Sequence, residues 1–209
     1  LTAAAAEHET TALYQRVIQQ FDAEINQNGS WFSSRYPDRS KGPVAYFSME
    51  FGLHESLPVY SGGLGILAGD HLKTASNMGI PMVGVGLLYR VSYFTQFLTA
   101  SGNQQAVYEN AEFNSLPLQL VTGEDGNPLQ IEVPVKDRLV YVRVWKVMVG
   151  RVPLLLLNTD FPLNSTKDRL ITERLYDADR DYRFMQEMVL GAGGVRALHA
   201  LGYDPEHPV

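Results

Sequence analysis

Three glycines within four residues, Gly62, Gly63 and Gly65, follow Ser61 and lead through Leu64 into Ile66-Leu67-Ala68-Gly69-Asp70-His71-Leu72-Lys73. Glycine lets a backbone turn tightly and come close to a ligand, and the first turn of a helix leaves N–H groups unpaired and pointing outward. Such a place favours an anion. The same glycines also suit a plain strand-to-helix turn, and a short glycine motif does not by itself choose between phosphate or sugar binding and a turn. Glu50 leaves an apolar run shortly before the loop. A carboxylate there serves either to bind a sugar hydroxyl or to hold the loop's N–H groups, and the residues leave both open.

Other chemistry-bearing residues point to less. His71 falls on the apolar stripe of its helix and reads as a hydrogen-bonded core histidine, while Asp70 and Lys73 read as a solvated pair on the opposite face. His54-Glu55 and Asp70-His71 are adjacent pairs whose side chains diverge, so neither makes a good metal clamp. There is no His-Glu-x-x-His, no serine in a nucleophile elbow, and no Gly-Lys-Ser/Thr ending the glycine loop as in a Walker loop. A self-contained triad or metal site is not visible.

The elements that must position the loop are readable from periodicity. Leu64, Leu67, Ala68, Leu72, Ala75 and Met78 fall at helical spacing, and Gly79 supplies a stop. Before the loop, Val44 to Met49 is a β-rich run that suits a strand buried on both faces of a parallel sheet, and Pro81 to Leu88 is a second such run. Strand, loop, helix, strand is a βαβ unit. Ligands of open sheets of this kind sit beyond the carboxyl ends of the strands, which places Glu50 and the glycine loop on that edge.

Further out, Leu13, Val17, Ile18, Phe21 and Ile25 make the stripe of an amphipathic helix ended by Asn28-Gly29, expected to lie on something. Trp31 to Pro37 reads as an aromatic loop anchored on the domain surface. Residues 90–150 carry short alternating runs and turn signals, of which Leu139 to Trp145 alternates most cleanly, and are read as an antiparallel β insertion. Val152 to Asn158 resumes a buried strand with Asp160 just past its end, and Asn164 to Tyr176 is a charged crossover. Asp181 to Leu201 is helical despite Gly191, Gly193 and Gly194, which suggests close approach of another backbone.

Composition bounds the function. A chain of 209 residues, 45% hydrophobic and 11% aromatic, can bury one large core. Its net charge of -6 argues against a nucleic-acid surface. Zero cysteines exclude disulfides and thiolate metal sites and fit a reducing, cytoplasmic setting. No apolar run is long enough to span a bilayer, and the start lacks the pattern of a secretion signal. A first residue Leu1 and a last stretch Tyr203 to Val209 just past a helix lead to the expectation of a piece of a longer protein.

Tyr46-Phe47-Ser48-Met49-Glu50-Phe51, then Ser61-Gly62-Gly63-Leu64-Gly65 with Leu67-Ala68, then Gly84-Val85-Gly86-Leu87-Leu88-Tyr89, together resemble the α-glucan phosphorylases. Glu50 to Pro58 and Leu190 to Leu198 resemble the shorter bacterial-type branch, and Arg183-Phe184-Met185-Gln186-Glu187 resembles the family's Arg-x-x-Gln-Glu helix, with no catalytic role assigned to Arg183, Gln186 or Glu187. The resemblance implies an α/β fold: a Rossmann-like parallel sheet with helices and an antiparallel insertion, forming the N-terminal half of a two-domain glycosyltransferase. It implies reversible phosphorolysis of a terminal α-1,4-glucosyl unit, with α-1,4-glucan, inorganic phosphate and glucose 1-phosphate as partners, and it admits a homo-oligomer. It further implies that Glu50, Gly62, Gly63, Leu64 and Gly65 line the glucose and phosphate site. Pyridoxal phosphate is implied as cofactor, held as a Schiff base on a lysine of a C-terminal domain.

Departures from the family pattern are informative. Ile66 stands where the long animal-type branch has arginine, and none of Lys41, Lys73, Lys136, Lys146 or Lys167 matches the cofactor-lysine motif, so residues 1–209 alone are expected to be inactive. Two other readings stand beside this one. A glycogen or starch synthase also has a Gly-Gly-Leu-Gly loop, but would carry a lysine two residues before the first glycine and an aspartate after the last, where this chain has Tyr60 and Ile66. The other is a non-catalytic glucan-binding module.

Overall fold

The structure, a computed structural model, describes residue 5 and residues 7–25, 29–39, 42–91, 93–176 and 179–203. Asn28, Lys41 and both chain ends lie outside these residues.

A six-stranded mixed sheet forms the centre, with β1 (Val44–Phe47), β2 (Met82–Leu87), β8 (Val152–Asn158), β7 (Arg138–Val149) and β5 (Gln119–Leu120) in that order, and β6 (Gln130–Val135) also paired to β7. β1, β2 and β8 run parallel, as the βαβ pattern requires, and β7 pairs antiparallel with β8 through the tight turn at Gly150. The fold is therefore α/β. Between β2 and β8 the strands are antiparallel: β5, β6 and β7 extend the main sheet, whereas β3 (Thr95–Leu98) and β4 (Gln104–Val107) pair only with each other.

β2 and β8 sit in the middle and are buried on both faces, which their unbroken apolar sequences allow. β7 alternates, with Val140, Val142 and Val144 inward. β1 differs from the expected doubly buried strand. It is the edge of the sheet, hydrogen-bonded to β2 alone, and Val44 is exposed.

Helix α3 (Gly63–Met78), which follows α1 (His8–Ile25) and the short α2 (Trp31–Arg35), has the limits its sequence predicts, with Gly62 as N-cap and Gly79 as C-cap. Gly79 has φ 68°, and its N–H closes the helix onto the carbonyls of Ala75 and Ser76, a geometry glycine adopts without strain. The buried face is another matter. Gly65, Ala68, Gly69, Leu72, Ala75 and Ser76 face the sheet, while Leu64 is 51% and Leu67 65% exposed. His71 is exposed too, its ring 4.8 Å from that of Tyr46, and is not a core histidine. The reason is distance: the helix lies so close to the chain at Gly52 that only small residues fit between them. Asp70 and Lys73 are both exposed and form no ion pair among the described residues.

α3 covers the sheet face formed by Gly84, Gly86, Leu154 and Leu156, since Leu72 packs at Gly84 and Phe51 at Gly86. The opposite face, carrying Val85 and Leu157, receives the C-terminal helical stretch. That stretch comprises α5 (Arg180–Met188), a π-helical turn (Val189–Gly193) and α6 (Gly194–Ala200), with the one-turn α4 (Thr166–Arg169) in the crossover before it. Its glycines meet side chains rather than another backbone. A Cβ on Gly194 would lie 2.5 Å from Phe47 and 2.7 Å from Val85, one on Gly193 3.1 Å from Val133, and one on Gly191 would touch nothing.

α1 has the expected helical stripe, but none of its residues is buried, and Leu13, Val17 and Phe21 are exposed. The Arg151 guanidinium donates to the carbonyls of Glu24 and Ile25, and so ties the end of α1 to the β7–β8 turn. Trp31 to Arg35 forms a helical turn rather than a loop, because the Ser30 hydroxyl accepts from the Ser33 N–H as an N-cap.

Candidate functional site

The carboxyl ends of the parallel strands open onto one edge, and Glu50 stands there, three residues past β1. Ser48 carries the strand pairing one step further through its N–H to Val85, and its hydroxyl accepts from the Glu50 N–H at 3.3 Å. The chain then turns inward. Phe51 N–H donates to Val59, Gly52 N–H donates to the Gly65 carbonyl at 2.7 Å, and the buried Phe51 ring anchors the segment.

This leaves Glu50 only 2% exposed, directly beneath the start of α3. Its Oε2 accepts the N–H groups of Ser61 at 2.8 Å and Gly62 at 3.2 Å. Its Oε1 accepts the Ser61 hydroxyl at 3.4 Å and the Tyr176 hydroxyl. A buried carboxylate is tolerable only when its lone pairs are filled, and here donors occupy both oxygens. Burial works to raise the carboxyl's pKa, but the bonds from Ser61, Tyr176 and Gly62 outweigh it and hold the group below its ordinary value. Of the two uses open to Glu50 in the sequence, holding the loop is the one its hydrogen bonds perform.

The depressed pKa has a pH consequence whose sign follows from linkage. A carboxylate with a folded pKa below its unfolded value contributes stability above about 4.5, and that contribution is lost as pH falls through the folded value. Glu50→Gln should therefore flatten the acid limb of a plot of urea midpoint against pH below that point, relative to wild type. Parallel limbs for the two proteins would show that the bonds to Glu50 carry no such linkage.

The glycines divide into two kinds. Gly65 is packed: a Cβ there would lie 2.5 Å from Cβ of Tyr60 and 2.8 Å from Oε2 of Glu50. Gly62 and Gly63 have nothing within 4 Å of an added Cβ, and neither has positive φ. Nothing in the chain itself requires them to be small. Ser61 and Gly62 spend their N–H groups on Glu50, whereas Gly63, Leu64 and Gly65 have no hydrogen-bond partner for theirs among the described residues. These three donors form the open end of a 16-residue helix, where its dipole is positive. Glu50, Gly62, Gly63, Leu64 and Gly65, separate candidates in sequence, thus form one continuous structure.

Two residues that sequence reading passed over complete it. Tyr176, at the end of the crossover, reaches Glu50 from 126 positions away. Gln186, buried within the Arg-x-x-Gln-Glu helix, donates from Nε2 to the carbonyls of Ile171 and Arg174, both at 2.8 Å, and so holds the crossover that presents Tyr176. The quoted helix motif was the one sequence signal for Gln186; Tyr176 had none. On the same edge Asp160 binds Arg90 at 2.9 Å and Arg169 at 2.7 Å, a paired cluster that braces the crossover against the end of β8. Among the described residues, no group of three or more His, Asp or Glu side chains could hold a metal, and no helix is long and apolar enough to cross a membrane.

The chain is similar to a maltodextrin phosphorylase of Thermococcus litoralis, 51% identical over 193 residues, which make up 92% of this chain and 23% of that protein. It is similar to a glycogen phosphorylase of Mycobacterium tuberculosis, 52% identical over 158 residues, 75% of this chain and 18% of that one. It is also similar to a glycogen phosphorylase of Aquifex aeolicus, 41% identical over 171 residues, 82% of this chain and 25% of that one. A family model described as "Protein of unknown function (DUF3417)" matches residues 1–57. The chain spans no more than 25% of the length of these curated relatives. With identities of 41–52% over 75–92% of its residues, the chain belongs to the α-glucan phosphorylase family.

Proposed function

We propose that the full polypeptide carrying this chain is an α-1,4-glucan phosphorylase, a cytoplasmic glycosyltransferase that moves a terminal glucosyl unit onto inorganic phosphate. The bond between glucosyl C1 and the bridging oxygen breaks, C1 bonds to a phosphate oxygen, and the proton lost from the phosphate ends on the departing bridging oxygen, which becomes the 4-hydroxyl of the shortened glucan. Glucose 1-phosphate is released, and the reaction is reversible. The observation that carries this reading is the trio of N–H groups on Gly63, Leu64 and Gly65, without partners among the described residues, at a helix start where Gly62 and Gly63 leave open space. Donors fixed in advance favour a phosphate and the negative charge it retains in transfer, with no reorganisation during reaction.

Gly62, Gly63, Leu64 and Gly65 form one wall of the site in this proposal, and Glu50 supports it from below. The cofactor this reading implies is pyridoxal phosphate, which would supply a phosphate group able to exchange a proton with the substrate phosphate. Among the described residues, no lysine fits its covalent attachment. Lys73 and Lys167 are exposed, Lys136 is paired with Asp181 at 2.9 Å, and Lys146 lies on β7, so none joins the open loop. The cofactor lysine and the opposite wall belong to other parts of the polypeptide, with residues 90–150 as the antiparallel insertion of this part.

Incubating the full-length protein with maltodextrin and phosphate should yield glucose 1-phosphate, and glucosyl transfer from a sugar nucleotide should be absent. Sugar-nucleotide turnover without phosphorolysis would place the protein with the synthases. Glucan retention with neither activity would make it a binding module. Residues 1–209 alone should show no absorbance band of a lysine-bound cofactor that borohydride removes.

A further inference from the structure

Tyr176 is odd in three respects that share one explanation. It has φ 56°, a left-handed conformation that is unfavourable for a bulky side chain. It is 42% exposed, so burial of its ring does not account for that conformation. Its hydroxyl nevertheless goes inward to Oε1 of the buried Glu50, the same carboxylate whose Oε2 takes the Ser61 and Gly62 N–H groups.

The segment before it is fixed from several sides. Gln186 grips the carbonyls of Ile171 and Arg174, the N–H groups of Arg90 and Val91 donate to Thr172 and Glu173, and Leu175 is buried. A backbone so constrained can sustain a strained residue at its end. We propose that Tyr176 is a positioning residue of the glycine loop, acting through Glu50 to fix Ser61 and Gly62 and thereby to set the direction of the Gly63, Leu64 and Gly65 N–H groups.

Charge explains why a tyrosine and not a second carboxylate or a cation serves here. A neutral hydroxyl adds a donor to a buried anion without cancelling its charge, and that charge holds the two loop amides. The crossover and the glycine loop are thus coupled through one carboxylate, so displacing the first loosens the second. The nature of the anion at the loop rests on the phosphorylase reading; the coupling itself does not.

Tyr176→Phe removes one oxygen from a half-exposed ring and should leave the melting temperature within about 2 °C of wild type. Two measurements on the full-length protein test the proposal. Hydrogen exchange in the peptide spanning Ser61 to Gly65 should quicken about tenfold in Tyr176→Phe, the loss expected for one hydrogen bond to a charged group. Tyr176→Ala should quicken it no more than Tyr176→Phe does. In phosphorolysis, KM for phosphate should rise about tenfold in both variants, with a smaller change in KM for glucan. Unchanged loop exchange in Tyr176→Phe overturns the proposal, as does a Tyr176→Phe protein that exchanges like wild type while Tyr176→Ala does not, since the ring alone would then matter. A wild-type protein without phosphorolysis sinks the functional reading instead, and the exchange measurement still decides the role of Tyr176.

Discussion

Gly63→Leu in the full polypeptide is expected to cut phosphorolysis about a hundredfold or more while leaving the protein folded. The fold has no use for a glycine there: nothing lies within 4 Å of an added Cβ, φ is not positive, and the position faces outward. Leucine is a better helix former than glycine, so the melting temperature should hold or rise slightly. What leucine does is fill the space in front of the Gly63, Leu64 and Gly65 N–H groups. On the proposed function, a phosphate pushed back by even an ångström would lose both its short hydrogen bonds and its alignment with the glucosyl carbon. Comparison with Gly65→Ala makes the result interpretable. That substitution drives a methyl group into Tyr60 and Glu50, and should lose stability and activity together. If Gly63→Leu keeps near-wild-type kcat/KM for phosphate, the loop is a turn and not a binding wall.

How the sequence conceals part of this site is visible along α3. Its ends were readable because Gly62 and Gly79 are chemical punctuation, and Gly79 does adopt the left-handed cap that glycine permits. Its buried face is readable only in part: Ala68, Leu72 and Ala75 of the stripe are buried, but periodicity counts apolar side chains, and this helix also packs through the absence of side chains at Gly65 and Gly69. Leu64 and Leu67 belong to the same stripe by spacing, yet they stand in the open beside the loop. β2 and β8 were legible as buried strands, since apolar residues on both faces need cover on both faces. β1 has a similar composition but lies at the edge, and strand order is a tertiary fact that no local pattern records. Glu50 and the glycines are close in sequence, so their meeting could be expected. Tyr176 follows the antiparallel strands in the chain, and the bonds that hold the crossover to Arg90, Val91 and Gln186 bring it there.

Gly69→Ala should destabilise the protein by about 2 kcal/mol and lower its melting temperature by about 4–8 °C. A Cβ on Gly69 would lie 2.1 Å from the carbonyl oxygen of Gly52 and 2.7 Å from its carbonyl carbon. Those are backbone atoms, and no rotamer change relieves the clash. Nor can the Gly52 segment move freely, since it is tied to Gly65 through the Gly52 N–H and to Val59 through the Phe51 N–H. The helix must then shift away from the sheet, disturbing Leu72 against Gly84 and the Gly65 contact with Glu50. Overpacking of this kind costs up to about 3 kcal/mol, of which the better helix propensity of alanine offsets about 1. Gly191→Ala provides the control, because a methyl group there meets nothing within 4 Å and should be neutral or mildly stabilising. Equal melting temperatures for Gly69→Ala and wild type would mean that α3 can ride away from Gly52 at no cost. The glycine loop would then not be held as rigidly as the positioning of three amides toward a phosphate demands.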